Sequence, residues 1–486
     1  MHLHPIPASL GFCTVIPDFL SPEECRALID RGEALGFHAA SSDYPPSYRN
    51  NERLVIDDAE FAARLTQRLC SELPRELLEQ QDKGVRWRMA GVNERLRWCR
   101  YRTGQAFHIH QDGVHHRGPA LRSRLTFMIY LTDGDDFDGG DTLFFAGGPH
   151  TTSPGEQHPP VVARVRPRLG SLILFDHRIW HAGEAVTRGV KHIVRSDLMF
   201  EAVEGVAALS ASDARQGYVW ALCALPDGGV ASGGRDTAIR LWDARGAAAG
   251  SLRGHEQSVL GLAVVDGQRL VSVSRDRSLR VWNLGTRQCE QVFRPHAAAI
   301  LCVAAWNGLA ISGGADGVVR VTRLDDAESA TLGARAGWVW SVDVTEAGLL
   351  AAACEDGSVH CFDLREMQPI AVLPGDVALR AVAVSADGTQ LAAGDITGRI
   401  TRWMRDGGQW QRGNSWQAHA AAIRKLRFTA DGALLSGGED AHARRWTRGG
   451  GLAWEATHDN FVTDVLPMAD GVLSCAYDGR ITRHAA

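Results

Sequence analysis

His110 and Asp112 stand two residues apart in the run from Tyr101 to Gly113. On a β-strand, residues i and i+2 project from one face, so the pair would converge on a single point. A third candidate, His181, follows 69 residues after Asp112, behind the apolar run Ser171 to Phe175. Two imidazoles and one carboxylate on one side of an Fe(II) ion leave its other positions open for a cosubstrate and dioxygen, the arrangement of non-haem oxygenases. A lone His-X-Asp is weak by itself, since a surface strand with two solvated polar residues reads the same way. His108 has the same strand parity, but a site shifted to His108 and His110 has no carboxylate in place, so His108 is expected beside the ligands. His115 and His116 fall in a loop that should overhang the site. His150, His158 and His177 read as ordinary polar loop residues. The acidic run Asp133 to Asp141 fails the EF-hand template, with Phe137 and Phe144 at ligand positions, and reads as a turn before a core strand.

What raises the His-X-Asp above chance is its company: Arg124, Thr126, Tyr130, Leu131, Gly139, Gly140, Thr142 and Phe144, then His181, Gly183, Val186, Gly189 and Lys191. This order and spacing resemble the prolyl 4-hydroxylase-like branch of the 2-oxoglutarate/Fe(II) dioxygenases, across residues 10 to 201. The resemblance implies that His110, Asp112 and His181 are the iron ligands. It also implies that Lys191, ten residues past His181, grips the distal carboxylate of 2-oxoglutarate. Tyr101, nine residues before His110, could reach the same cosubstrate, and Thr126 could line its pocket. Arg195 shares strand parity with Lys191 and is the competing anchor, since a guanidinium pairs bidentately with a carboxylate. Fe(II) and 2-oxoglutarate are the expected cofactor and cosubstrate, with ascorbate as an accessory reductant. The implied reaction is hydroxylation of a protein or peptide side chain. Its rivals are hydroxylation of a small metabolite by an enzyme docked through its second domain, and a non-catalytic scaffold that senses 2-oxoglutarate or iron.

The elements that must position these residues are legible upstream and around them. Ser21, Pro22 and Glu24 form a capping box leading into a helix over Cys25 to Ala34, stopped by Gly36. A second helix follows Asp57 and Asp58, with Phe61, Leu65, Leu69 and Leu73 at four-residue spacing, and ends before Pro74. Leu96 to Tyr101, Leu125 to Leu131, Ser171 to Phe175 and His192 to Phe200 are strand-like, which predicts a β-sandwich with helices on one face. The resemblance makes that sandwich a double-stranded β-helix, or jelly roll.

The second half of the chain repeats. Asp236, Asp276, Asp316, Asp356, Asp440 and Asp478 recur before apolar-aromatic runs, Thr397 fills the gap, and the steps are 40, 40, 40, 41, 43 and 38 residues. His255, Asp276 and Trp282, and again His419, Asp440 and Trp446, resemble the WD-repeat family. Thr322, Phe362 and His484 replace the Trp in other copies, and repeats four and five lack the His. Seven repeats predict a seven-bladed β-propeller over residues 203–486, after an oxygenase domain over 1–202, in a mainly β protein. The chain ends eight residues after Asp478, so Val206 to Ala211 is the expected closing strand of the last blade. Few residues then remain for a linker between the two domains.

With 52 Lys and Arg against 57 Asp and Glu, a formal net charge of -5 gives no chain-wide support for a nucleic-acid partner. No stretch reaches the 18 apolar residues of a membrane span, and the first residues lack a secretory pattern, so a cytoplasmic protein is expected. The ten Cys are single and mostly in apolar runs, which predicts reduced, structural thiols. Aligned repeats place Tyr218, Trp220, Trp338, Trp340, Phe461 and Tyr477 on one rim, with Arg235, Arg275, Arg380 and Arg424 between them. Aromatic and Arg side chains anchor protein interfaces, so this rim is the expected contact surface for a protein substrate or partner.

Overall fold

A computed structural model describes residues 11–40, 44, 48–82, 85–115, 117, 120–148, 158–204, 217–326, 328–333 and 337–485. It is mainly β and divides into two compact units, Met1–Ala214 and Arg215–Ala486.

In the first unit the expected helices form where their caps put them. The helix Pro22–Leu35 begins at the Ser21 cap, whose hydroxyl accepts from the Glu24 amide while the Glu24 carboxylate accepts from the Ser21 amide. The helix Ala59–Glu72 is capped by the Asp58 carboxylate, and its apolar stripe, Phe61, Leu65 and Leu69, is buried. Both helices lie on a nine-stranded antiparallel sheet. Its main path runs Cys13–Ile16, Leu172–Asp176, Leu121–Tyr130, Val190–Glu204, Arg95–Arg102, Glu52–Asp57 and His38–Ala39, and Val85–Val92 extends it along the far half of Val190–Glu204.

Strand alternation then separates two cores. Phe127, Ile129, Leu172, Leu174, Val194 and Leu198 join the helices, while Met128, Tyr130, Ile173, Phe175 and Ile193 point the other way. That second face packs on residues of a four-stranded sheet ordered Val161–Val165, Thr142–Phe145, His181–Gly183 and Phe107–His110. The candidate ligands sit on this smaller sheet and its flanking turns.

The second unit consists of seven successive antiparallel sheets. Six have four strands, and the last has three among the described residues: Val462–Met468, Gly471–Ala476 and Ile481–His484. The expected closing strand, Val206 to Ala211, lies outside the described residues. The first and last sheets share an apolar cluster that includes Val219, Leu222, Leu466 and Cys475. The Thr463 hydroxyl donates to the Val219 carbonyl at 2.6 Å, and the Leu222 amide donates to the Asp464 carboxylate at 2.9 Å.

The recurring Asp marks a turn of one shape. The residue after each, and after Thr397 in the fifth sheet, has positive φ: 66° at Thr237, 67° at Arg277, 65° at Ala441, and 74° to 88° at Gly317, Gly357, Gly398 and Gly479. In the second sheet His255 Nδ1 lies 2.9 Å from the Asp276 carboxylate, His255 Nε2 meets the Ser272 hydroxyl, and Trp282 donates to the same hydroxyl at 2.7 Å. His419, Asp440, Ser436 and Trp446 repeat the set in the sixth. All ten cysteines are free thiols. No helix among the described residues is long and apolar enough to cross a membrane.

Candidate functional site

His110 ends the strand Phe107–His110 and is paired directly across the small sheet with His181, the first residue of His181–Gly183. Their ring centroids are 4.2 Å apart. Asp112 is not on that strand. It lies two residues past the strand end, so the strand-parity argument for its direction fails, and other contacts aim it. Its amide donates to the His177 carbonyl at 3.0 Å, Arg195 donates to Oδ1 at 2.6 Å, and the Thr126 hydroxyl donates to Oδ2 at 2.7 Å. So held, Oδ1 is 3.7 Å from His110 Nε2 and Oδ2 is 3.5 Å from His181 Nε2.

Each imidazole is committed at its other nitrogen. His110 Nδ1 lies 2.7 Å from the His108 carbonyl, and His181 Nδ1 lies 2.9 Å from the Ile179 carbonyl. A carbonyl only accepts, so both Nδ1 atoms carry the proton and both Nε2 atoms present lone pairs. His110 Nε2 is buried and has no hydrogen-bond partner. Such an orphan is costly in a folded interior unless a ligand completes it. Burial holds the His110 and His181 rings below their usual pKa. Burial acts upward on Asp112, but Arg195 and the two imidazoles outweigh it and keep the carboxyl well below the usual range. Near neutral pH the three groups are therefore two neutral imidazoles and one carboxylate, the protonation states a divalent cation requires. These residues fit an Fe(II) ion.

Tyr101, His110, Thr126, His181, Lys191 and Arg195 line one cavity. Lys191 is 3% exposed, and its Nζ donates to the Gly140 carbonyl at 2.6 Å between the rings of Tyr101 and Tyr130. Gly140 is required there: its φ is 72°, and a Cβ would fall 2.7 Å from the Phe137 ring. Burial pushes the Lys191 ammonium down to about 8, with Asp141 acting the other way. The cavity thus has residues that could hold a metal and a desolvated cation in its wall.

Residues 96–196 match the profile of the 2OG-Fe(II) oxygenase superfamily, and residues 207–243, 246–283, 287–322 and 410–447 match the WD domain, G-beta repeat. The chain carries a 2OG-Fe(II) oxygenase domain and WD repeats. It is 41% identical over 104 residues to nuclear distribution protein PAC1 of Yarrowia lipolytica, covering 19% of this chain and 23% of that protein. It is 26% identical over 183 residues to telomerase protein component 1 of Mus musculus, covering 35% of this chain and 7% of that protein. PAC1 of Arthroderma otae is 43% identical over 77 residues, 15% of this chain and 17% of that protein. The chain therefore spans less than a quarter of the length of these curated relatives.

Within the oxygenase domain several residues do more than their sequence context suggested. His177, expected to be an ordinary loop residue, is 1% exposed and supports Asp112 from behind. Its Nδ1 donates to Thr126 Oγ1 at 2.8 Å, its Nε2 accepts from Ser123 Oγ at 2.8 Å, and Ser123 Oγ accepts the His115 amide at 2.7 Å. The chain of bonds ties the loop after Asp112 to the carboxylate it follows. Thr126 belongs to this chain as well as to the cavity wall.

His108 contributes its carbonyl rather than its side chain, which is exposed. Phe107 stacks on the His110 ring at 3.6 Å, and buried Arg49 lies 4.1 Å over Phe107. A lone Arg outside any strand-like run carries no sequence signal for that place. Arg195, the competing anchor, reaches into the cavity wall but places its guanidinium on Asp112, while its Nε has no partner. The acidic run does form the expected turn, fastened by Arg166 to Asp141 and the Phe137 carbonyl, and this turn brings Gly140 to Lys191. His158 Nδ1 lies 2.9 Å from the Pro159 carbonyl, and His116 and His150 lie outside the described residues.

The expected rim of the WD-repeat unit is corrected in part. Trp338 is 7% exposed and Arg380 8%, so neither is a free contact residue. Arg380 stacks 3.8 Å over Trp340 and pairs with Glu355 at 3.0 Å, and the Trp340 indole also donates to Glu355. These three side chains, Arg380 buried and Trp340 and Glu355 half-buried, link the fourth and fifth sheets. Arg424 pairs with Glu439. Tyr218, Trp220, Phe461 and Tyr477 are half-buried and cluster, with Tyr218 stacked on Tyr477 at 4.4 Å.

Proposed function

We propose that this chain is an Fe(II)- and 2-oxoglutarate-dependent dioxygenase that hydroxylates a side chain of a protein or peptide, in the manner of prolyl hydroxylases. The observation that carries the reading is the pair of proton-committed Nδ1 atoms at His110 and His181, which aim two Nε2 lone pairs at the Asp112 carboxylate. The reading takes residues 1–202 as a jelly-roll oxygenase domain and 203–486 as a seven-bladed propeller.

His110, Asp112 and His181 would hold the iron, which when bound supplies the oxidation chemistry that couples 2-oxoglutarate decarboxylation to hydroxylation. The residues of the chain supply geometry and charge. Lys191 grips the distal carboxylate of 2-oxoglutarate, exchanging its bond to the Gly140 carbonyl for an ion pair in a dry pocket. Tyr101 walls the same pocket. Arg195 and Thr126 occupy one Asp112 oxygen each, which fixes the rotation of the carboxylate and leaves its other lone pairs for the metal. The rings of Phe107 and Phe175 exclude water around the imidazoles. Ascorbate would serve as accessory reductant.

The propeller would recruit the substrate or a partner, with the half-buried aromatics Tyr218, Trp220, Phe461 and Tyr477 as its contact cluster. Incubation of the full chain with Fe(II), 2-oxoglutarate and fractionated lysate separates the readings. Succinate formation stimulated by a protein fraction supports a protein substrate. Stimulation by the small-molecule fraction alone would replace it with a metabolite hydroxylase, and no turnover with either would leave a binding scaffold.

A further inference from the structure

The turn Asp of the second, third, sixth and seventh sheets is held by a His. Nδ1 of His255, His296, His419 and His458 lies 2.9, 2.9, 2.8 and 3.2 Å from Asp276, Asp316, Asp440 and Asp478. The other ring nitrogen meets a Ser hydroxyl in each. The ring needs room at the end of the second strand: a Cβ on Gly314 would fall 2.5 Å from His296 Nδ1, and one on Gly438 2.4 Å from His419 Nδ1.

The fourth sheet departs from this plan at each position. Arg335 and Ala336 stand where the spacing would put the His. Ala352 replaces the Ser and Phe362 the Trp. The position of Gly314 and Gly438, opposite the first residue of the inner strand, is Cys354. The position that is Arg240, Arg280, Arg320 and Arg444 in four other sheets is His360. In the first and sixth sheets that Arg reaches the turn Asp, at 2.7 and 2.6 Å, so the position faces the turn. Ligand atoms of Cys354, Asp356 and His360 lie within 4.8 Å of one another, and His360 Nε2 is enclosed with no hydrogen-bond partner. The sheet lies in the span 323–409 that the WD-repeat profile does not match.

We propose that Cys354, Asp356 and His360 form a second metal site, for a borderline-soft divalent cation of the zinc class. Thiolate and imidazole disfavour calcium and magnesium, which take oxygen ligands. Three protein ligands with Asp356 exposed leave a water to complete a tetrahedron. On binding, the metal–sulfur bond forms as the Cys354 S–H bond breaks and its proton passes to solvent, with no change of oxidation state. The cation would pin the turn that the absent His, Ser and Trp pin elsewhere.

The test uses the full chain carrying His110→Ala and His181→Ala, stripped of metal under reducing conditions and titrated with Co2+. The expected result is a thiolate-to-cobalt charge-transfer band with tetrahedral ligand-field bands, saturating at one ion per chain and abolished by Zn2+. Adding Cys354→Ser should remove the band. Adding His360→Arg, which restores the residue of the sister sheets and so preserves the fold, should weaken Co2+ binding beyond the roughly tenfold cost of losing an outer-sphere partner. Absence of the band in the parent, its survival in Cys354→Ser, or unchanged affinity in His360→Arg would each overturn the assignment.

Discussion

Histidine is used in opposite ways in the two units. His255 and His419 have both ring nitrogens engaged, one on an Asp and one on a Ser, so nothing is left to offer a ligand. His110 and His181 spend one nitrogen on a backbone carbonyl and leave the other directed at a carboxylate. Residue type and burial are the same in both places. Saturation of the hydrogen bonds is what separates a histidine that rigidifies a turn from one that can hold a metal.

That contrast breaks most visibly by deletion. His110→Ala, Asp112→Ala or His181→Ala should abolish 2-oxoglutarate turnover, read as succinate, while circular dichroism shows the fold intact. Substantial turnover in any of the three removes the triad. Next in size is Lys191→Met, which deletes the buried cation of the pocket. Loss of one member of a buried charge pair costs about 3–5 kcal/mol, so the 2-oxoglutarate Kd from calorimetry should rise on the order of a hundredfold or more. An unchanged Kd would transfer the anchor to Arg195.

The structural histidines should behave the other way round. His419→Ala leaves the Asp440 carboxylate and the Ser436 hydroxyl short of a partner, which should cost about 1–3 kcal/mol of stability in denaturant titrations. Turnover per folded molecule should stay at the wild-type value, and a loss of turnover there would erase the distinction.

The smallest expected effect is a pH dependence. Burial lowers Lys191 to about 8, so it is a cation below that pH and neutral above it. The affinity for 2-oxoglutarate should fall as pH rises through about 8, by at most about tenfold per unit. Because the folded value lies below the unfolded one, the cosubstrate-free protein should gain stability over the same rise. An affinity flat from pH 7 to 9, with Kd measured by calorimetry, would mean that Lys191 is not the anchor.

Much of the molecule was legible before any coordinates. Helix ends were written in Ser21, Glu24 and Asp58, because capping is a local hydrogen bond between residues three apart. The repeat period was written in the turn Asp, because each copy needs the same positive φ one residue later. That His110, Asp112 and His181 could hold a metal was legible in their spacing and in the family resemblance around them, although one step toward it was wrong. Strand parity does not aim Asp112, whose direction comes from Arg195, Thr126 and the His177 carbonyl, residues 83, 14 and 65 positions away.

Local signals therefore determined which elements form, how many repeats there are and which side chains could bind a metal. Tertiary structure alone decided which histidines are free to do so. It also turned His177 from a loop residue into a support for Asp112, buried Trp338, and took Arg380 from a rim into a link with Trp340 and Glu355. The physical reason is that hydrogen-bond saturation and burial belong to contacts between distant segments. A short stretch of sequence specifies a donor or an acceptor, and only the packed chain supplies its partner.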